Sequence, residues 1–269
     1  MPNVPRLLTL AQWSGGAPWS LELVHSREDH ALIWQTRGQG RCVIDGLRRG
    51  LAVHTALAIP SGALFSLELG AQNFGLVCLI PPQSGLLLPD IPTLLRIRDV
   101  QAQTELTAIL EAMQREQNAA RPFADEALSA QGALLTVWLR RAMIAHDAET
   151  PRPSAGERLL RAYMSLVARD FATGKPMADY ARALGVTPTH LTRCCKHHAG
   201  RTAADLLTQR VLHAARWALE RGDRPVAQIA ASLGFNSAGY FSRFVQHHTG
   251  LTPSALRKRS SAPPRVPVA

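Results

Sequence analysis

The chain has 269 residues, 46% hydrophobic and 19% charged, a length that fits two ordinary domains and a composition that excludes wholesale disorder or a fibrous repeat. Its formal net charge of +10 is unevenly placed, with 13 basic and 14 acidic residues through Ser154 but 17 and 6 from Ala155 onward. A C-terminal part carrying +11 calls for nucleic acid or an anionic membrane as partner.

In chain order, the N-terminus Met1-Pro2-Asn3-Val4-Pro5 lacks a basic segment followed by an apolar one, so no secretory signal is expected. No window approaches the roughly 18 continuous apolar residues of a spanning helix. From Arg6 to Pro82 short apolar runs alternate with turn residues. Ala31–Thr36, Cys42–Asp45 and Gly75–Ile80 read as strands, broken at Arg37-Gly38-Gln39-Gly40, Asp45-Gly46, Pro60-Ser61-Gly62 and Pro81-Pro82. Such spacing predicts an antiparallel barrel or sandwich. Arg48-Arg49 is expected in an exposed turn.

The period then changes. Leu106, Ile109, Leu110 and Met113 recur at helical spacing within Asp99–Asn118, as do Leu128, Leu135, Trp138, Leu139 and Met143 within Phe123–His146. Asp147–Ser154 reads as a linker, everything beyond it as helical, and the Pro- and Ser-rich end Ser260–Ala269 as a disordered tail. Cys42, Cys78, Cys194 and Cys195 show no C-x-x-C spacing, and the adjacent pair is poorly placed to clamp a metal. They are expected as reduced thiols of a cytoplasmic protein, the last two as small core filler.

The C-terminal part contains an internal repeat. Ala181-Arg182-Ala183-Leu184-Gly185-Val186-Thr187-Pro188-Thr189-His190-Leu191-Thr192-Arg193 is matched by Ala230-Ala231-Ser232-Leu233-Gly234-Phe235-Asn236-Ser237-Ala238-Gly239-Tyr240-Phe241-Ser242-Arg243, with one extra residue after the glycine. Both copies then reach a Gly-x-Thr. Small Ala181 and Ala230 permit close helix approach, Gly185 and Gly234 sit where the first helix must end, and Thr187 with Asn236 or Ser237 suit the N-cap of the next. Pro188 suits a first turn, and Leu191 and Phe241 are expected to face inward. One such unit is a weak signal; two, with Arg at the same place in each second helix, are a strong one.

Together with Arg210–Leu219, Pro225–Phe235, Tyr240-Phe241-Ser242-Arg243-Phe244 and Gly250–Arg257, this pattern resembles the AraC/XylS family of bacterial transcription regulators over roughly Gly156–Arg257. The resemblance implies two helix-turn-helix units joined by a long helix. Two recognition helices, near Pro188–His198 and Ser237–His248, would enter successive major grooves ~34 Å apart. Arg193 and Arg243 are the best candidates for bidentate contact to guanine. Thr189, His190 and Thr192 follow in the first unit, and Ala238, Gly239 and Ser242 in the second, which has less side chain to read with. Thr187, Lys196, Ser237, Arg210 and Arg257 are better suited to phosphate contact or capping, with Pro188 beside them in the DNA-binding set and a structural salt bridge at least as open for Arg210 and Arg257. Departures are Cys195 and Val245 where the family usually has Phe, and Gln246 where it usually has Lys; Phe244 is the expected compensation.

The N-terminal stretch looks like the cupin-type barrel common in such regulators. The expected fold is therefore α+β with two domains: a cupin-like β-barrel over 1–98, a helical dimerisation or packing segment over 99–146, a linker over 147–155, an all-α DNA-binding domain with two helix-turn-helix units over 156–257, and a tail over 258–269. His25, His30 and His54 include no His-x-His pair, so neither metal nor cofactor is expected. With Trp34 they are the candidates to line an effector pocket, although Trp34 fits a core role equally. The expected partners are double-stranded DNA, a small-molecule effector, a second copy of the chain and RNA polymerase, with no membrane and no enzyme activity. The alternatives left open are a metal-dependent cupin-type enzyme fused to a DNA-binding domain, and an effector-independent DNA-binding protein.

Overall fold

A computed structural model describes residues 3–119, 121–147 and 153–260. Strand β1 (Arg6–Thr9) leads into two short helices, α1 (Leu10–Ser14) and α2 (Trp19–Glu22). Seven more strands follow: β2 (His30–Arg37), β3 (Gly40–Ile44), β4 (Leu47–Leu51), β5 (Thr55–Ile59), β6 (Phe65–Leu69), β7 (Phe74–Ile80) and β8 (Thr93–Arg96). All pairings are antiparallel, in a five-stranded sheet ordered β1-β7-β2-β5-β8 and a three-stranded sheet ordered β4-β3-β6. The described strands thus form two facing sheets rather than one closed barrel. A groove lined by Arg49, Gly50, Thr93 and Arg96 separates β4 from β8, and β4 instead lies against C-terminal helices.

Alternation along each strand divides the large sheet's side chains between two layers. Leu32, Trp34, Ala56, Ala58, Cys78 and Ile80 face helices α3 (Val100–Ala119) and α4 (Ala124–Asp147), where they meet Leu106, Leu110, Met113, Leu135, Trp138 and Leu139. Ala31, Ile33, Leu57, Ile59, Val77 and Leu79 face Cys42, Ile44, Phe65 and Leu67 of the small sheet. Burial on both faces is why β2 and β7 read as continuous apolar runs. Each large aliphatic side chain so buried contributes about 1.5–3 kcal/mol of transfer free energy. The two helices run close to their expected spans.

The C-terminal half is helical: α5 (Ala155–Asp170), α6 (Met177–Ala183), α7 (Pro188–Ala199), α8 (Ala203–Arg221), α9 (Val226–Ser232), α10 (Ala238–Thr249) and α11 (Pro253–Ser260). One core gathers Leu160, Tyr163, Val167, Tyr180, Leu191 and Leu206, and a second gathers Leu219, Ile229, Phe241, Val245 and Leu256. Helix α8 contributes to both and so fixes one against the other. Most of the expected linker, 148–152, and most of the expected tail, 261–269, lie outside the described residues. Ser154, at the linker's end, caps α5 by accepting from the Glu157 backbone N–H at 3.1 Å, and α11 continues through Ser260, past the expected start of the tail.

The two halves pack together. Asp45 and Gly46 form the two-residue turn between β3 and β4 with φ of 51° and 76°, and a Cβ on Gly46 would lie 2.6 Å from Leu160 of α5. Val24, Leu47 and Leu64 complete the first helical core. Arg161 pairs with Asp45 at 3.6 Å, Arg49 with Glu157 at 3.3 Å, and Arg201 with Glu68. Arg48 and Arg49 are therefore strand residues of β4, not turn residues, and Arg49 reaches across the contact between halves.

Candidate nucleic-acid interface

The repeat becomes two helix pairs, α6–α7 and α9–α10, closed by the same backbone hydrogen bonds. Gly185 N–H donates to Arg182 and Val186 N–H to Ala181; Gly234 and Phe235 repeat the pattern onto Ala231 and Ala230, all at 3.0–3.1 Å. Both glycines take left-handed backbone, φ 67° and 76°. Ala181 and Ala230 are buried where the helices cross, and Leu191 and Phe241 lie fully inside. Thr187 Oγ1 accepts from the His190 backbone N–H at 3.2 Å, and Ser237 Oγ from that of Tyr240 at 3.1 Å. Thr187 and Ser237 are thus the N-caps of α7 and α10. A Cβ on Gly234 would come within 2.4 Å of the Gly174 backbone, so the second turn is also pressed against the loop after α5.

These caps set which side chains face outward. On α7, Pro188, Thr189, Thr192, Arg193 and Lys196 line one open groove, with Thr192 half-buried and the rest exposed. His190 is exposed beside them. On α10, Gly239 and Arg243 are exposed and Ala238 half-buried, while half-buried Ser242 donates its hydroxyl to the Ala238 carbonyl at 2.8 Å. That commitment to the helix backbone leaves Ser242 with lone pairs only for a base. Arg182 is held by Asp179 at 2.7 Å, whereas Arg193 and Arg243 carry no ion pair among the described residues. One exposed residue on this face was absent from the expected set: Tyr240, in the first turn of α10 with its ring 5.7 Å from Phe235. Its place in the first turn of the second helix was the available signal.

Below this surface, Cys195 and Val245 are fully buried, and Phe244 packs 5.1 Å from Phe235 as the compensating aromatic. All four cysteines are free and buried, and burial pushes the thiols of Cys42, Cys78 and Cys195 up to about 12, which suits filler rather than sensors. Arg210 stands apart from the recognition helices: its guanidinium stacks 3.6 Å over Phe171, and it forms no salt bridge among the described residues. Arg257 donates to the Arg224 carbonyl.

The four candidate effector residues occupy three places. Trp34, 1% exposed, donates its indole N–H to Thr107 at 3.2 Å and stacks 5.9 Å from His54 beside a groove on α3. His30 accepts from the Ser61 backbone N–H at 3.2 Å. His25 is fully buried between the halves, its ring tilted against Phe65 at 4.2 Å and stacked on His213 of α8 at 4.3 Å. Burial first, and then His213 and Arg27, hold its ring well below the ordinary histidine range. Among the described residues no group of three or more His, Cys, Asp or Glu is placed to hold a metal ion, and no helix is long and apolar enough to cross a membrane.

Comparison with known proteins places this surface in a family. A helix-turn-helix domain family matches residues 180–259. The HTH-type transcriptional regulator GlxA of Rhizobium meliloti (strain 1021) is 31% identical over 131 residues, 46% of this chain and 40% of its own length. The match thus spans well under half of that relative. The probable transcription factor PqrA of Proteus vulgaris is 30% identical over 83 residues, 31% of this chain and 68% of its own. Among solved structures, ToxT from Vibrio cholerae O395 aligns over 97% of this chain and 99% of its own at 13% identity and a TM-score of 0.43. An AraC-type DNA-binding domain-containing regulator from Chromobacterium violaceum aligns over 41% and 99% at 26% identity and a TM-score of 0.36. The repeat, its exposed cationic face, the helix-turn-helix match and the similarity in sequence to the two named regulators agree: the chain belongs to the AraC family of DNA-binding transcription regulators, not to a family of enzymes.

Proposed function

We propose that the chain reads DNA through two helix-turn-helix units, with α7 and α10 as recognition helices in successive major grooves. The observation that carries this reading is the pair of exposed arginines, Arg193 and Arg243, at matching positions of two identically hydrogen-bonded turns. Arg193, Thr189, His190 and Thr192 address base edges from the first unit, and Arg243, Ser242, Ala238 and Gly239 from the second. Thr187, Pro188, Lys196 and Ser237 position the backbone. Residues 156–257 act as the DNA-binding domain and 99–146 as the dimerisation segment. Residues 1–98 form a cupin-like sensor for a small-molecule effector, and RNA polymerase is the partner that turns DNA binding into output.

The test is binding to a promoter fragment against random DNA of equal length. Arg193→Ala and Arg243→Ala are each expected to lose about 1–3 kcal/mol of discrimination, and Lys196→Ala to weaken both DNAs alike. Wild-type discrimination in both arginine variants would remove base reading by these residues.

A further inference from the structure

The small sheet carries a second layer of side chains, on the face turned away from the large sheet. Cys42, Phe65 and Leu67 point inward, so their neighbours Arg41, Val43, Ser66 and Glu68 point outward, with Arg48 of β4 opposite Val43. The end of α7 lies over this outer face. Between them is a cavity of about 220 Å³, lined by those outward residues together with Cys42, Ala199, Gly200 and Arg201. That volume falls below the roughly 300 Å³ of sites for drug-sized ligands and suits a small ion or a single charged group.

Arg41, Arg48 and Arg201 meet in this cavity against one carboxylate, that of Glu68. Glu68 is taken by Arg201 rather than by Arg41, its cross-strand neighbour, and Arg201 also donates to Gln209. The Arg48 guanidinium lies over Gly200, where a built Cβ would stand 3.3 Å from its Nη1. Gly200 caps the carbonyl end of α7, a place that favours a cation. Arg41 and Arg48 are exposed, and neither has an ion pair or a side-chain hydrogen bond among the described residues. Ser66 is 1% exposed, and its hydroxyl has no partner among them either. A buried hydroxyl normally finds one, because leaving it unpaired is costly.

The geometry points to a binding site here for a phosphate group, free or as the monoester of a small polyol, on Arg41, Arg48, Arg201 and the Ser66 hydroxyl. A phosphate carries close to two negative charges at neutral pH, which matches the excess of three guanidiniums over one carboxylate. Its oxygens point in several directions, and the donors arrive from β3, β4, β6 and the turn after α7. A carboxylate offers two oxygens in one plane and satisfies one arginine fork. None of the four candidate effector residues lines this cavity. An occupant bridges the small sheet to the end of α7; that link to DNA reading rests on the function proposed above, and the site itself does not.

The experiment is calorimetric titration of the full chain with inorganic phosphate and glycerol 3-phosphate, beside acetate and glycerol, above the second phosphate pKa of about 6. Saturable binding of at least one phosphate is expected, with acetate and glycerol at least tenfold weaker. The tighter of the two phosphates tells the free ion from the ester. Arg41→Met and Arg48→Met should each weaken it at least tenfold and Ser66→Ala severalfold; exposed Arg115→Ala on α3 should not. Circular dichroism checks the fold of every variant, and the two exposed arginines decide the matter if Ser66→Ala does not fold. Saturation with random duplex DNA should leave phosphate affinity unchanged, because the cavity lies at the opposite end of α7 from Pro188. Absence of saturable phosphate binding, equal binding of acetate, unchanged affinity in both arginine variants, or displacement by the duplex overturns the site. Failure of the duplex to bind removes the DNA reading alone and leaves the variants to decide the site.

Discussion

At the scale of single residues, Gly46 carries two demands at once. Its φ of 76° is left-handed, and a Cβ there would stand 2.6 Å from Leu160 and 2.8 Å from Met164. Gly62 has the same kind of backbone, φ 77°, with nothing within 4 Å of a built Cβ. Gly62→Ala is therefore expected to cost about 1–2 kcal/mol through backbone alone. Gly46→Ala adds overpacking of a buried site, typically a further 1–3 kcal/mol. Urea midpoints of the two variants give the comparison, and equal losses would show that the β3–β4 turn does not bear on α5. The need for a glycine was legible in the Asp45-Gly46 pair, because a two-residue hairpin requires left-handed backbone. Its contact with α5 was not, because no local pattern reports which distant helix a turn touches. The same holds for Trp34: its burial was readable from the strand around it, its hydrogen bond to Thr107 was not.

At the scale of elements, long periodic segments were legible and short ones were not. The helices α3, α4, α7 and α10 follow from repeated apolar spacing and from caps visible in the sequence. Helices α1 and α2, of five and four residues, escaped because one turn has no period to detect. They hold through caps and packing: Thr9 and Gln12 form a capping box, and Leu10, Trp13 and Leu21 enter the core. Strand β4, Leu47-Arg48-Arg49-Gly50-Leu51, buries only its ends and so reads as a turn. Helix α4 carries the opposite signal, an apolar face that no other described residue covers: Leu134, Val137 and Ile144 are all exposed, and spacings of three and seven set them on one side. As the proposed dimer seam, this face predicts that Leu134→Glu combined with Val137→Glu lowers the sedimentation coefficient from dimer to monomer and weakens DNA binding while leaving secondary structure intact. A double variant that sediments as wild type would place the seam elsewhere.

At the scale of the whole molecule, the charge split marked where DNA binds, but the contact between the halves was invisible, since its residues lie far apart in the chain and no local pattern reports which distant surface they meet. His25 and His213 sit at its centre with rings 4.3 Å apart and only 10° from parallel. Burial, reinforced by Arg210 and Arg27, lowers His213 to about 3; burial, His213 and Arg27 lower His25. Both rings are neutral when folded, and both take up a proton near pH 6.5 when unfolded. Stability from this pair is therefore complete above pH 6.5 and falls as pH drops from there toward about 3, by about 1.4 kcal/mol per pH unit for each ring. His30 and His248, more exposed, are also lowered and add to the slope, and the hydrogen-bonded carboxylates of Glu157 and Asp205 add theirs at lower pH. Comparison with His213→Phe isolates the pair, because phenylalanine keeps the ring against His25 and Trp217 and removes one proton site. Between pH 6 and pH 5, urea unfolding of wild type should lose about 1.4 kcal/mol more than the variant does. Parallel pH dependences would mean that His213 is already protonated in the folded chain, with Arg27, Arg210 and Arg221 around it, and that the halves separate before the chain unfolds.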